Sequence, residues 1–469
     1  MEFLEAVHQL VWGPWTLAIF LGTGLVFCVR GRFFALRKCS FWWSQTVGSL
    51  RESSKKMENG HGVNAAETVC TALAATVGTG NIAGVATALV AGGPGAIFWM
   101  WISAFIGMGT AYAETSLGFS WRKKGADGHY LCGPYLYMEE GLHARWLGIF
   151  YALLCLFAAL GMGSMVQANS AIETLSYGFC IPKELGSFVL AVLVMLVVLG
   201  GVKRIGKVAQ RLMPLASGIY IAACVAVLLL RADQIAGAVR AIAVGAFSPQ
   251  AAIGGAAGYG ICTSLRYGMA RGVFSNEAGL GTLAILHGAT EDTTPQKQGM
   301  WAMFEVFFDT VVLCTLTALV ILCVAGSDLF SVGISGAALA AFCFESCLGV
   351  FGEMFLPVAM AVFAFATMIA WFYMGRQAAV YLEEKCGGAH LLSRLYPLLF
   401  AAAVFFGGMA RLELVWILSD LVNGLMAFPN LTALLFLAPS VKFPEKDILH
   451  TKKRATRRDN TLFDKREES

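Results

Sequence analysis

The chain has 469 residues, 57% hydrophobic and only 14% charged, with a formal net charge of +4. A soluble domain carries about 25% charged residues. Charge depletion on this scale, with repeated apolar runs of about 20 residues, excludes a soluble globular protein and indicates an all-α polytopic membrane protein. A membrane β-barrel is excluded too, because its strands are short alternating segments and not long apolar blocks.

The N-terminal stretch MEFLEAVHQLVWGPW carries Glu2 and Glu5 and no Lys or Arg. That flank is wrong for a cleaved signal peptide, so the first apolar run is expected to stay as a span. Apolar blocks predict eleven spans, at 12–30, 64–91, 96–120, 146–175, 186–202, 212–230, 250–286, 298–325, 348–382, 393–409 and 412–438. Lys and Arg cluster in alternate loops: Arg30 to Lys56, then Arg122, Lys123, Lys124 and Arg145, then Lys203, Arg204, Lys207 and Arg211. The other loops hold only Lys183, Arg231, Arg240 and Arg411. The positive-inside rule then puts the N-terminus outside and the C-terminus in the cytoplasm. The expected organisation is an extra helix and basic loop over 1–63, a core over 64–439 and a basic tail over 440–469. The tail, with its KKRATRR run, reads as a solvated arm near anionic lipid and not as a nucleic-acid arm. No GxxxxGK[ST] phosphate loop occurs, and no attached ATPase subunit is expected.

Two spans differ from the rest. The second holds Gly78-Thr79-Gly80-Asn81 at mid-membrane depth, and the seventh holds SLRYGMARGVFSNEAGLGT from Ser264 to Thr282. Glycine interrupts helices, and unwinding a turn in hydrocarbon frees backbone groups that only a polar cavity can satisfy. The freed carbonyls can ligate a cation, while a half-helix N-terminus can hold a carboxylate. With the first span set aside, each break opens one set of five spans, 64–232 and 250–439. Because five is odd, the second set is inverted relative to the first, the arrangement of transporters with a central substrate site. Gly84, Gly107, Gly254 and Gly258 are instead expected at close helix contacts.

Other polar residues have plainer readings. Glu114 and Arg376 lie near span ends, where snorkelling to the interface explains them. Arg271 and Glu277 flank the second break and could form an ion pair, and Asp309 is a further charge within a span. Phe98–Trp101 reads as aromatic packing at the outer interface. Most of the thirteen cysteines fall within spans as small packing residues; Cys343 and Cys347, one turn apart, could form a disulfide. HExxH, GxSxG and paired aspartates within spans are missing, and the seven histidines fall mainly in loops, which argues against an enzyme.

GGPGAIFWMWISAFIG (Gly92–Gly107) resembles the signature of the sodium:alanine (alanine or glycine:cation) symporter family, within the amino acid–polyamine–organocation group. ETVCTALAATVGTGNIAGVATA and GVFSNEAGLGT resemble two further blocks of that family, and the resemblance runs from Asn64 to about Pro439. More distantly, GTGN followed by GGPGAIF is similar to the first helix and turn of LeuT-type sodium symporters. The family implies one extra N-terminal helix before a LeuT-like 5+5 inverted repeat with two broken helices.

A zwitterionic amino acid needs donors for its carboxylate, acceptors for its ammonium and an apolar wall for its side chain. Thr79, Gly80 and Asn81 offer donors at the first break; Phe274, Ser275 and Asn276 line the second, with Ser275 a candidate ammonium acceptor. Gln167, mid-span on the fourth helix, either borders the cavity or makes an interhelical hydrogen bond. By resemblance to LeuT-type symporters, a sodium ion lies between the carbonyls of Ala74 and Val77 and the hydroxyl of Thr367. The same resemblance offers Trp371, one turn later, as a pocket wall; an interface anchor is its other reading. The implied function is a sodium-coupled symporter importing a small neutral amino acid, alanine or glycine, through a bacterial plasma membrane. A proton-coupled permease of the same fold, or uptake of serine or glutamine, is the alternative.

Overall fold

The computed structural model describes residues 7, 10–49, 65–125, 129–247, 257–291, 293–327, 334, 336–387 and 391–444. Apart from one two-stranded hairpin, Lys123–Lys124 with Tyr130–Leu131, the regular structure there is helical. Helix α1 spans Pro14–Arg30. The second span is two helices, α2 (Ala65–Thr76) and α3 (Ala83–Gly92), bent by 53°. Helix α4 (Gly95–Ser120) follows the Gly93-Pro94 turn, where φ of +70° at Gly93 suits a residue without a side chain. Helix α5 (Arg145–Phe179) precedes α6 (Lys183–Val198), α7 (Gly201–Leu230) and α8 (Ala232–Phe247).

The seventh span is again two helices, α9 (Ala257–Asn276) and α10 (Thr282–His287). Helices α11 (Pro295–Ala325), α12 (Gly336–Leu348), α13 (Val350–Cys386), α14 (Leu391–Met409) and α15 (Leu412–Leu437) complete the bundle. Within the described residues, each predicted span thus overlaps a helix or a broken pair. Among the described residues, seven helices are long and apolar enough to cross a membrane, and the bent α2–α3 pair makes eight. The shorter count reflects brevity at α1 and α6 and the interruption between α9 and α10.

The broken pairs occupy the centre. Helix α9 packs on α3 and α4, α13 packs on α2 and α5, and α11 packs on α4. Two helices widen locally into π turns, α5 at Gly161–Val166 and α11 at Phe307–Cys314. Such widenings recur at functional sites because they re-aim side chains without ending the helix. The aromatic run packs: Phe98 and Trp99 stand edge-on to Phe247, and Trp101 Nε1 donates to Thr315 Oγ1 at 2.7 Å.

Some plainer readings need revision. Gly107 does sit at a close contact, since an added Cβ would lie 3.1 Å from Ala278, but Gly84 faces open space. Gly254 lies outside the described residues. Cys343 and Cys347 are both free thiols.

Candidate functional site

The first break begins where α2 stops after Thr76. Thr79–Asn81 forms a single tight 3-10 turn, fully buried, before α3 resumes. Asn81 holds that turn: its Oδ1 accepts from the Gly78 N–H at 2.9 Å. The Thr79 N–H donates to Gln167 Oε1 at 3.2 Å, so α5 supplies the partner for one freed amide. Gln167 thus makes the interhelical hydrogen bond that is one of its two foreseen roles, and makes it at the break.

Thr367 reaches the same turn from α13, its hydroxyl 3.4 Å from the Val77 carbonyl and 3.0 Å from that of Phe363. Ala74 is buried one turn earlier on α2. Gly78 is wedged between the two neighbours: a Cβ there would sit 2.6 Å from Thr367 Oγ1 and 3.0 Å from Gln167 Oε1. Gly78→Ala is accordingly expected to lower transport about 5- to 30-fold while the protein still reaches the membrane, measured as initial uptake rate per molecule, since displacing either polar contact costs about 1–2 kcal/mol.

The second break runs from Glu277 to Gly281. Glu277, Gly279 and Gly281 all have positive φ, at +58°, +91° and +83°. Two of the amides this exposes, those of Gly279 and Gly281, donate to one carboxylate oxygen of Glu114 at 3.2 and 3.1 Å. Asn430 of α15 donates to the same oxygen at 3.0 Å and to the Gly279 carbonyl at 2.9 Å, while Tyr151 donates to the Leu280 carbonyl at 2.7 Å. Tyr137 in turn donates to Asn430 Oδ1. Glu114 is thus no snorkelling residue. It is wholly buried and stitches the unwound loop to α4. Arg376, by contrast, is exposed.

The breaks meet at Asp309, which stands in the π turn of α11. Its Oδ1 accepts from Asn81 Nδ2 at 2.5 Å, and its two oxygens accept from Ser275 Oγ at 3.1 and 2.8 Å. Thr310 Oγ1 adds a donor at 2.9 Å, and Asn276 Nδ2 donates to Thr310 Oγ1 at 3.0 Å. Ser275, expected to face an ammonium group, therefore faces this carboxylate. Phe274 lies against Gly80, where an added Cβ would be 3.4 Å from the ring. Trp371 is also fully buried and donates from Nε1 to Glu277 Oε1 at 2.9 Å, so it is no interface anchor.

Arg271 does not pair with Glu277. Its guanidinium makes a two-point bond to Asp420 on α15, at 2.9 and 3.3 Å, and stands 4.9 Å over the Trp416 ring. Trp416 stacks on Phe274 at 5.0 Å between centroids. Ion pair and aromatic pair together tie the end of α9 that precedes the second break to α15. In chemical terms the centre offers backbone amides, neutral carbonyls and hydroxyls, and the buried carboxylates of Asp309, Glu114 and Glu277, a set suited to holding a small charged solute and a hard cation.

The backbone is similar to that of MhsT, solved in complex with L-phenylalanine, with a TM-score of 0.51 and 16% identity over 82% of this chain and all of that one. The two chains share a fold. The profile of the sodium:alanine symporter family matches residues 1–462. This chain belongs to that family. It is similar to the sodium/alanine symporter AgcS of Methanococcus maripaludis, 37% identical over 93% of this chain and 95% of that protein. An uncharacterized transporter of Haemophilus influenzae is 38% identical over 95% of each chain, and the amino-acid carrier protein AlsT of Bacillus subtilis is 32% identical over 90% and 86%. The family member described here is accordingly a multi-pass membrane transporter of amino acids and not an enzyme.

Proposed function

We propose that this transporter is a sodium-coupled symporter that imports a small neutral amino acid, alanine or glycine, by alternating access around the two breaks. The observation that carries the reading is the convergence of both breaks on one buried cluster, Asn81, Asp309 and Ser275. The sodium ion is held by the carbonyls of Ala74 and Val77 with the hydroxyl of Thr367, and Asp309 supplies the negative charge that makes cation entry favourable. The solute is held by Thr79, Gly80 and Asn81 on one side and Phe274, Ser275 and Asn276 on the other, with Gln167 bracing the first turn and Trp371 walling the side chain.

In this reading 64–232 and 250–439 are the inverted repeats, and one bundle rocks against the other. With the N-terminus outside, the Arg271–Asp420 pair lies on the outer side of the second break.

A second reading, proton coupling, is favoured by the same Asp309, since a carboxylate buried beside the site can carry a proton in place of an ion. Uptake of labelled alanine, glycine, serine and glutamine into proteoliposomes separates the two. Alanine or glycine is expected to accumulate only with sodium outside and to stop when choline replaces it. Accumulation that persists in choline and follows a proton gradient would transfer the coupling role to the proton.

A further inference from the structure

Glu277 has no part in the binding roles above, yet its geometry is unusual. It has a φ of +58°, where glycine is the unstrained choice. The other described non-glycine residues with positive φ, Arg32, Phe33, His143 and Cys180, are all exposed, whereas Glu277 is wholly buried. An ionisable side chain placed on a left-handed backbone in the centre of a membrane protein carries two penalties at once, and such residues persist where the side chain has a task.

The task is visible in its contact. Glu277 Oε1 accepts the single N–H of Trp371 at 2.9 Å. The base of the tryptophan side chain rests on α5: a Cβ added at Gly163 would lie 2.6 Å from Trp371 Cγ. Gly163 belongs to the π turn that leads into Gln167, and Trp371 follows Thr367 by one helical turn. The tryptophan is therefore packed against α5 at the base of its side chain and held by a hydrogen bond from the second break.

We propose that Glu277 is a positioning residue that holds the Trp371 indole and so sets the upper size of amino acid side chain the transporter accepts. This rests on the reading of Trp371 as the wall of the solute pocket. Its consequence is that selectivity depends on a residue that does not touch the solute.

The test is kcat and KM for alanine and for leucine in proteoliposomes under a sodium gradient, for the wild type, E277A, E277Q, W371F and the double variant. E277A and W371F are each expected to raise the leucine-to-alanine ratio of kcat/KM about tenfold or more, the scale of a pocket-size contact. The double variant is expected to show no further change, because both act through one contact. E277Q keeps a carbonyl acceptor and is expected to keep the wild-type ratio. If E277A fails to reach the membrane, E277D, which withdraws the carboxylate by one methylene, replaces it. Equal loss for both substrates, or effects of Glu277 and Trp371 that multiply, would overturn the proposal. Failure of the wild type to accumulate alanine with sodium would instead sink the functional reading, so the two failures are told apart.

Discussion

Asp309→Asn is expected to abolish sodium-driven accumulation of alanine. The carboxylate accepts from Asn81, from Ser275 at both oxygens and from Thr310, and it is fully buried. Hydrogen bonds to a charged group contribute about 1.5–3 kcal/mol each. Asparagine keeps the oxygen that Asn81 needs but puts an NH2 where Oδ2 accepts from Ser275 and Thr310, so both hydroxyls lose that acceptor and must turn their hydrogens elsewhere. Losing the charge and one such bond amounts to about 3 kcal/mol or more, a fall of at least about 100-fold in initial rate. The measurement is uptake per molecule in proteoliposomes, with protein yield and gel-filtration profile as the folding control. An Asp309→Asn protein that accumulates alanine at the wild-type rate would remove the carboxylate from the coupling step.

Thr367→Ala is the second large effect. Its hydroxyl is the side-chain oxygen that α13 brings to the Val77 carbonyl, across 290 positions of sequence. Alanine leaves the helix intact, because the hydroxyl also bonds the Phe363 carbonyl of its own helix and that bond stabilises only locally. Removing one hard oxygen from a cation site of about five or six is expected to raise the sodium concentration for half-maximal uptake at least about tenfold, the equivalent of about 1.4 kcal/mol. At physiological gradients concentrative uptake is then lost. Thr367→Ser retains the oxygen and is expected to stay within about threefold of the wild type, an energy difference under about 1 kcal/mol. A sodium titration of uptake checks both, and an unchanged sodium dependence in Thr367→Ala would exclude this hydroxyl from the ion's shell.

The breaks themselves were legible in the chain because they need glycine and asparagine at depths where neither is favoured, so GTGN and SNEAGLGT stand out against apolar neighbours. The partners of the breaks were not. Asp309 lies in FFDTVVLC, an otherwise regular apolar run, and nothing near it in sequence indicates that Asn81 and Ser275 turn toward it from 228 and 34 positions away. A carboxylate in mid-span, one helical turn after Glu305, is the one available signal. Glu114 was misplaced because distance along a span is a poor guide to depth when the neighbouring helix is unwound: the amides of Gly279 and Gly281 draw the carboxylate inward. Arg271 was matched with the nearest acid in sequence, whereas the bundle brings Asp420 within 2.9 Å. Local chemistry specifies where a helix must break, while the residues that satisfy the break are chosen by packing.

The wide turns of α5 and α11 carry a corollary for how the site could be emptied. Each holds one residue more than a regular turn would, just before Gln167 in one case and around Asp309 in the other. Passing that surplus residue along the rod by a single place swings whatever lies between the old and new positions by about 100°, the angle between successive side chains of a helix. Such slack lets a rigid cylinder retarget a grip on its cargo while keeping nearly all its internal bonds, a gear change and not a melting.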